Sequence, residues 1–149
     1  MPTPYSPQAA AQEPFLGTIR ELVRAYQAFS NYSESFVRQH DLTPAQFDVI
    51  ATLGNTQGMN MGDIGDKTLI TKGTLTGVVD RLIKKGLVTR EVPPENRRSV
   101  IVKLTPDGES LFEQVFPAHI IDMKEHFEGF NPSELELLKV LLSRLRQAF

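Results

Sequence analysis

The stretch ITKGTLTGVVDRLIKKGLV, residues 70–88, divides its side chains by chemistry when wound at about 100° per residue. Leu75, Val78, Val79 and Leu82 gather on one side. Gly73, Thr76, Gly77, Asp80, Arg81 and Lys84 gather opposite, flanked by Lys72 and Thr74, with Thr71 placed to cap the helix. This polar side is small at the start of the helix and basic toward its end. Threonine hydroxyls can bond base edges or phosphates, and a threonine methyl can meet a thymine methyl. Lysine and arginine neutralise phosphate charge. Gly73 and Gly77 weaken a helix but let its backbone come close to a groove wall. The plainer account of the same residues is an exposed amphipathic helix with two unfavourable glycines.

The charge distribution favours the polyanion. The whole chain carries a net charge of −2, yet residues 67–103 hold nine basic residues against three acidic ones (Asp80, Glu91 and Glu95). One surface is thereby marked for a negatively charged partner. Two of those bases, Arg97 and Arg98, sit in the polar run PPENRR between two strand-like segments.

Other chemistries lack their residues. The three histidines, His40, His119 and His126, have no HExxH spacing. His119 and His126 lie seven apart, too distant to share one metal. Gly65-Asp66-Lys67-Thr68 is a broken P-loop with no strand before it. No GxSxG occurs, and the pair Glu109 and Glu113 reads as a solvated helix face. With no cysteine, disulfides, thiolate zinc sites and thiol redox sensing are excluded. We expect no enzyme, no metal and no cofactor.

The elements that must position the polar face follow from periodicity and caps. Residues 14–40 form a long amphipathic helix whose 15-19-22-26-29-33-36-40 track alternates steps of four and three, the pattern of a helix that packs against a partner. Thr43-Pro44-Ala45-Gln46 is a capping box that opens a second helix, with Phe47, Ile50 and Leu53 as its buried stripe. Asn60 caps a short third helix to Thr68, with Ile64 and Leu69 pointing inward. The helix of the opening stretch ends at Gly86. Strands over 87–92 and 99–104 then form a hairpin with a basic tip. Thr105-Pro106 starts a further helix, which Pro117 kinks or ends midway and which resumes until Gly129. Asn131 caps a last, leucine-rich helix.

The domain layout is a flexible lead-in over 1–13, a helical dimerisation region from 14–40 with 106–149, and a winged helix-turn-helix over 41–105. The fold class is mainly α with a small β hairpin. Hydrophobic content of 40% and charged content of 23% are those of an ordinary soluble globular chain. No run is apolar enough to span a membrane, and the N-terminus lacks the features of a signal peptide. We expect a cytoplasmic protein with no membrane association.

A short helix, a tight link, a polar-faced helix and a basic hairpin make a winged helix-turn-helix. In that arrangement the helix enters the major groove, and wing arginines reach the backbone or the minor groove. The DNA-contacting residues are then Thr71, Lys72, Gly73, Thr74, Thr76, Gly77, Arg81, Lys84, Arg97 and Arg98.

At these residues the sequence resembles the MarR family of bacterial transcriptional regulators. The resemblance is carried by LTPAQF at residues 42–47, by ITKGTLTGVVDRLIKKGLV, and by NRRSVIVKLTPDG at residues 96–108, similar to the family's wing signature D-x-R followed by V-x-L-T-x-x-G. It implies a symmetric homodimer whose first and last two helices form the interface. The paired winged modules would read a pseudo-palindrome on double-stranded DNA. It also implies a small aromatic or anionic ligand bound between the arms and the DNA-binding lobe, most often releasing a repressor. Tyr26 and Phe47 are the candidates to line such a pocket, with core packing as their other role. Two departures stand out. Asn96 replaces the usual wing aspartate, and Gly77 stands where a long side chain is usual. The competing function is a winged-helix protein–protein interaction module that uses its basic face on an acidic partner.

Overall fold

The computed structural model describes residues 5–149. Of the lead-in expected over 1–13, residues 1–4 lie outside the described residues. Pro7–Ala10 form a short helix, α1, capped by the Ser6 hydroxyl. The long first helix, α2, spans Phe15–Arg38. The Thr43 capping box forms as expected, with Gln46 N donating to Thr43 Oγ1 and Thr43 N donating to Gln46 Oε1. It opens α3, Pro44–Leu53. Next come α4, Met61–Thr68, capped by Asn60, and α5, Lys72–Lys84. Gly86, at φ +74°, ends α5 with paired bonds from Gly86 N to Ile83 O and from Leu87 N to Leu82 O, the Schellman arrangement.

Three strands follow from the pairing. Met59–Asn60 is β1, Val88–Glu91 is β2 and Ile101–Leu104 is β3, and they lie antiparallel in the order β1-β3-β2. The hairpin register sets Val88 against Leu104 and Glu91 against Ile101, so residues 92–100 project as the wing. The two-residue β1 was not legible, because two extended residues carry no periodicity. Only the pairing of Met59 with Val102 makes them a strand. The last two helices are α6, Pro106–His126, and α7, Pro132–Gln147.

Leucine, isoleucine and valine from α3, α4, α5 and the sheet make one core, closed by Phe112 from α6 and Val37 from α2. The expected stripe of α5 is buried in full. In α3 the stripe turns slightly from expectation. Gln46, Val49, Ile50 and Leu53 are buried, while Phe47 is half-buried.

Two further expectations are corrected. Pro117 neither ends nor divides α6, which runs unbroken through it. Proline removes only the bond to the carbonyl four residues back, that of Glu113, and both residues are exposed, where water can serve that carbonyl. The helix closes at His126, three residues before Gly129.

Leu69 does not point inward. It is 86% exposed, because it closes α4 in the left-handed region at φ 61°, which swings its side chain out. That conformation costs an L-residue about 1–2 kcal/mol and glycine much less. With so little packing to lose, Leu69→Gly should raise stability by about 1 kcal/mol. Urea unfolding at fixed protein concentration checks this, and a fall in the midpoint would refute it.

No helix among the described residues is long and apolar enough to cross a membrane.

Candidate nucleic-acid interface and an adjoining cavity

The core-facing side of α5 fixes what its other side can do. Leu75, Val78, Val79 and Leu82 hold the helix to the module, so Lys72, Gly73, Thr74, Thr76, Arg81 and Lys84 lie exposed along one edge. Thr71 occupies the cap position, but its hydroxyl makes no capping bond. It donates to the Thr74 hydroxyl at 3.1 Å instead. The first amides of α5 therefore keep their hydrogen-bonding capacity for an outside acceptor, and a helix N-terminus favours an anion. Thr76 donates back to the Lys72 carbonyl at 3.3 Å.

Ion pairing sorts the nine basic residues of the 67–103 segment. Arg90 on β2 reaches Asp80 on α5 at 2.6 Å, which ties the recognition helix to the wing. Lys103 pairs with Glu91 across the hairpin at 2.8 Å. Lys85 turns to the α2–α3 corner, where it donates to the buried Gln46 Oε1 at 3.2 Å and lies 3.8 Å from the Asp41 carboxylate. The six others, Lys67, Lys72, Arg81, Lys84, Arg97 and Arg98, are exposed and have no acidic partner among the described residues. Five of these are the cations expected to meet DNA. The sequence reading leaves Arg90, Lys85 and Lys103 out of the DNA-contacting set. The partners that engage them are not legible there, because a partner's distance depends on the pairing of strands and helices.

The wing replaces its missing aspartate in another way. Asn96 Nδ2 donates to Ser99 Oγ at 2.9 Å, and Asn96 Oδ1 accepts from Arg98 N at 3.1 Å. An asparagine turn thus shapes the tip without neutralising either arginine.

Gly77 has open space where a Cβ would stand, with nothing within 4 Å, and Gly73 is the same. Nothing inside the chain requires either glycine. Gly77→Ala should therefore stabilise α5 by about 1 kcal/mol, the helix-propensity difference. It should also weaken duplex binding if the groove wall comes close at this point. Unfolding and DNA titration on the same preparation read both effects, and an unchanged affinity would show that close approach is not the reason for the glycine.

Beside the module, α2, α3 and α6 border a half-open cavity of about 550 Å³. Tyr26 and Phe47, the two residues singled out in the sequence, both line it, together with Phe29, Phe116, Ile120 and Met123. His119 forms part of the wall and is 3% exposed. Its ring stacks on Phe36 at 4.4 Å and meets Phe47 edge-on at 5.2 Å. Burial holds its pKa below the ordinary histidine value, against a weaker opposing pull from Asp122. Its Nδ1 is buried and has no hydrogen-bond partner. Beside it, Tyr32 donates to Asp122 and so links α2 to α6. Burial and that carboxylate push the phenol up to about 12. His119 had no distinguishing signal in the sequence, since its neighbours come from α2 and α3.

The model of the MarR family matches residues 42–100. The HTH-type transcriptional regulator MhqR of Bacillus subtilis is 31% identical over 124 residues, covering 83% of this chain and 86% of that protein. Among solved structures, Bordetella bronchiseptica BpsR is 32% identical with a TM-score of 0.75, covering 87% of this chain and 98% of that one. Its DNA binding is regulated by 6-hydroxynicotinic acid. NadR, solved in complex with 4-hydroxyphenylacetate, is 28% identical with a TM-score of 0.73, covering 97% of each chain. With the winged module, the matched segment and relatives aligned over nearly their whole length, this chain belongs to the MarR family of transcriptional regulators.

Proposed function

We propose that the chain acts as a homodimeric repressor that binds a pseudo-palindromic operator and is released by a small aromatic ligand. The observation that carries the DNA-binding part is the set of cations left without acidic partners along α5 and at the wing tip. Phosphate contacts by such side chains give affinity, and the small residues at the start of α5 are suited to base edges.

Dimerisation is supported by what the single chain leaves uncovered. The 16-residue α7 buries no residue, although it carries Leu137, Leu138, Val140, Leu141 and Leu142. On α2, Leu16, Val23 and Phe29 are likewise more than 40% exposed. Leu22 and Ala25 of α2 face Leu138, Leu141 and Leu145 of α7 across an apolar cleft. Helices with an apolar stripe need a surface to cover it, and a second copy supplies the same stripes through a twofold axis. Ligand release is supported by the cavity beside the DNA-binding module and by the ligands of BpsR and NadR.

Genomic footprinting with purified protein tests the reading. We expect protection of inverted half-sites about one helical turn apart, lost on adding a metabolite extract. Sedimentation at micromolar concentration should give a dimer, and a stable monomer would refute the pairing. Protection of no genomic duplex would return the basic face to an acidic protein partner.

A further inference from the structure

The cavity beside the DNA-binding module has an unusual charge for a site expected to take an anion. Among the described residues neither lysine nor arginine lines it, while Glu34 and Asp48 both do. Glu34 is already engaged, with Arg38 Nε donating to it at 2.8 Å. Asp48 has no basic partner among the described residues. Asp48 is an exposed residue, and desolvation still raises its carboxyl above the usual carboxylate value. His119 adds no positive charge in compensation, since burial keeps its ring neutral near pH 7. Tyr26, Phe29, Phe47 and Phe116 supply aromatic faces to the remaining wall, which also carries Ser30, Ser33, Ile120 and Met123. Aromatic faces attract cations, as does an unpaired carboxylate, and both repel anions.

We infer that this cavity selects an aromatic amine, bound as the cation against Asp48 with its ring among Tyr26, Phe29, Phe47 and Phe116, over the corresponding aromatic carboxylate. The inference rests on the ligand-released reading above and specifies the charge of the ligand. It sets this chain apart from the neighbours whose ligands are 6-hydroxynicotinic acid and 4-hydroxyphenylacetate.

Three probes of one shape test it: tyramine, 4-hydroxyphenylacetamide and 4-hydroxyphenylacetate, which are cationic, neutral and anionic at pH 7.5. Each is titrated calorimetrically into the full chain at low salt, where screening is weak. We expect affinity in the order amine, amide, acid, with about tenfold or more between the extremes, the scale of one charge moved past a partly screened carboxylate. Asp48→Asn, on the outer face of α3, should remove most of the amine's advantage and leave the amide unchanged. Unaltered duplex binding by that variant verifies its fold. Acid binding as tight as amine binding, or an amine-to-acid ratio unmoved by Asp48→Asn, overturns the charge assignment and leaves the cavity as a ligand site. Binding of none of the three by a protein that still binds duplex overturns the site itself.

Discussion

Replacing Arg97 and Arg98 together by alanine should lower affinity for operator duplex by about two orders of magnitude near 0.1 M salt. It should also flatten the plot of log affinity against log salt by nearly two. Each phosphate neutralised releases condensed counterions, and the slope falls by about 0.9 for each phosphate no longer neutralised. The wing arginines are suited to bind phosphates because both are exposed and neither has an acidic partner among the described residues. The tip that carries them is shaped by Asn96, whose side-chain bonds run to Ser99 Oγ and to the Arg98 backbone nitrogen. The substitution thus removes charge and leaves the turn intact. Lys103→Ala is the matched control. It removes one cation of the same hairpin, but Lys103 is held by Glu91 at 2.8 Å, so its removal should change affinity and slope much less. Fluorescence anisotropy across a salt series reads both quantities. A salt slope equal to that of the unaltered protein would overturn the assignment of the wing to the DNA backbone.

The largest expected loss of stability comes from a glycine buried in the first turn of α6. A Cβ added at Gly108 would stand 2.0 Å from the Leu87 carbonyl oxygen and 3.3 Å from the Leu104 Cβ. The obstacle is backbone, which cannot rotate away as a side-chain tip can. Three bonds hold this corner in place. Thr105 N donates to Leu87 O at 3.0 Å, the Thr105 hydroxyl donates to Gly86 O at 2.6 Å, and Gly108 N donates to Thr105 Oγ1 at 3.0 Å. Here the first turn of α6 is seated on the corner between α5 and β2. Gly108→Ala must lift α6 off that corner or distort it, at a cost of about 3 kcal/mol. For a chain of this size the loss corresponds to a drop of roughly 10 °C in Tm, read by calorimetry at fixed protein concentration. A drop under about 2 °C would show that the corner yields freely. The contrast with Gly77 is informative. Both are helical glycines, yet one is enforced by a carbonyl within the chain and the other faces open space.

The wing signature read in the sequence can now be explained residue by residue. In V-x-L-T-x-x-G the two apolar positions are Val102 and Leu104, buried on the inner face of β3. Thr105 is a helix cap that also reaches Gly86, and Gly108 is the point of closest approach to Leu87. Little of this signature concerns DNA. It fastens α6, the helix leading to α7, to the module that carries α5.

Local rules were enough for much of this protein. The proline-led caps at Thr43, Thr105 and Asn131, the glycine stop at Gly86 and the buried stripe of α5 are short-range effects, and they lie in the structure as the sequence implied. The same holds for the charged face, because the buried stripe of a helix leaves the opposite face no other direction. What the sequence could not decide were matters of distance between segments remote in the chain. Leu69 was placed inward by periodicity, but the left-handed close of α4 turns it out. Three of nine bases were withdrawn from the surface charge by Asp80, Glu91 and the α2–α3 corner. Tyr26 and Phe47 were credible pocket residues by type. Only the approach of α2, α3 and α6 brought them together with Asp48 and His119 around one cavity. Periodicity states which side of an element faces the core. It carries no information on which other element lies there, and that depends on how the helices pack and how the strands pair.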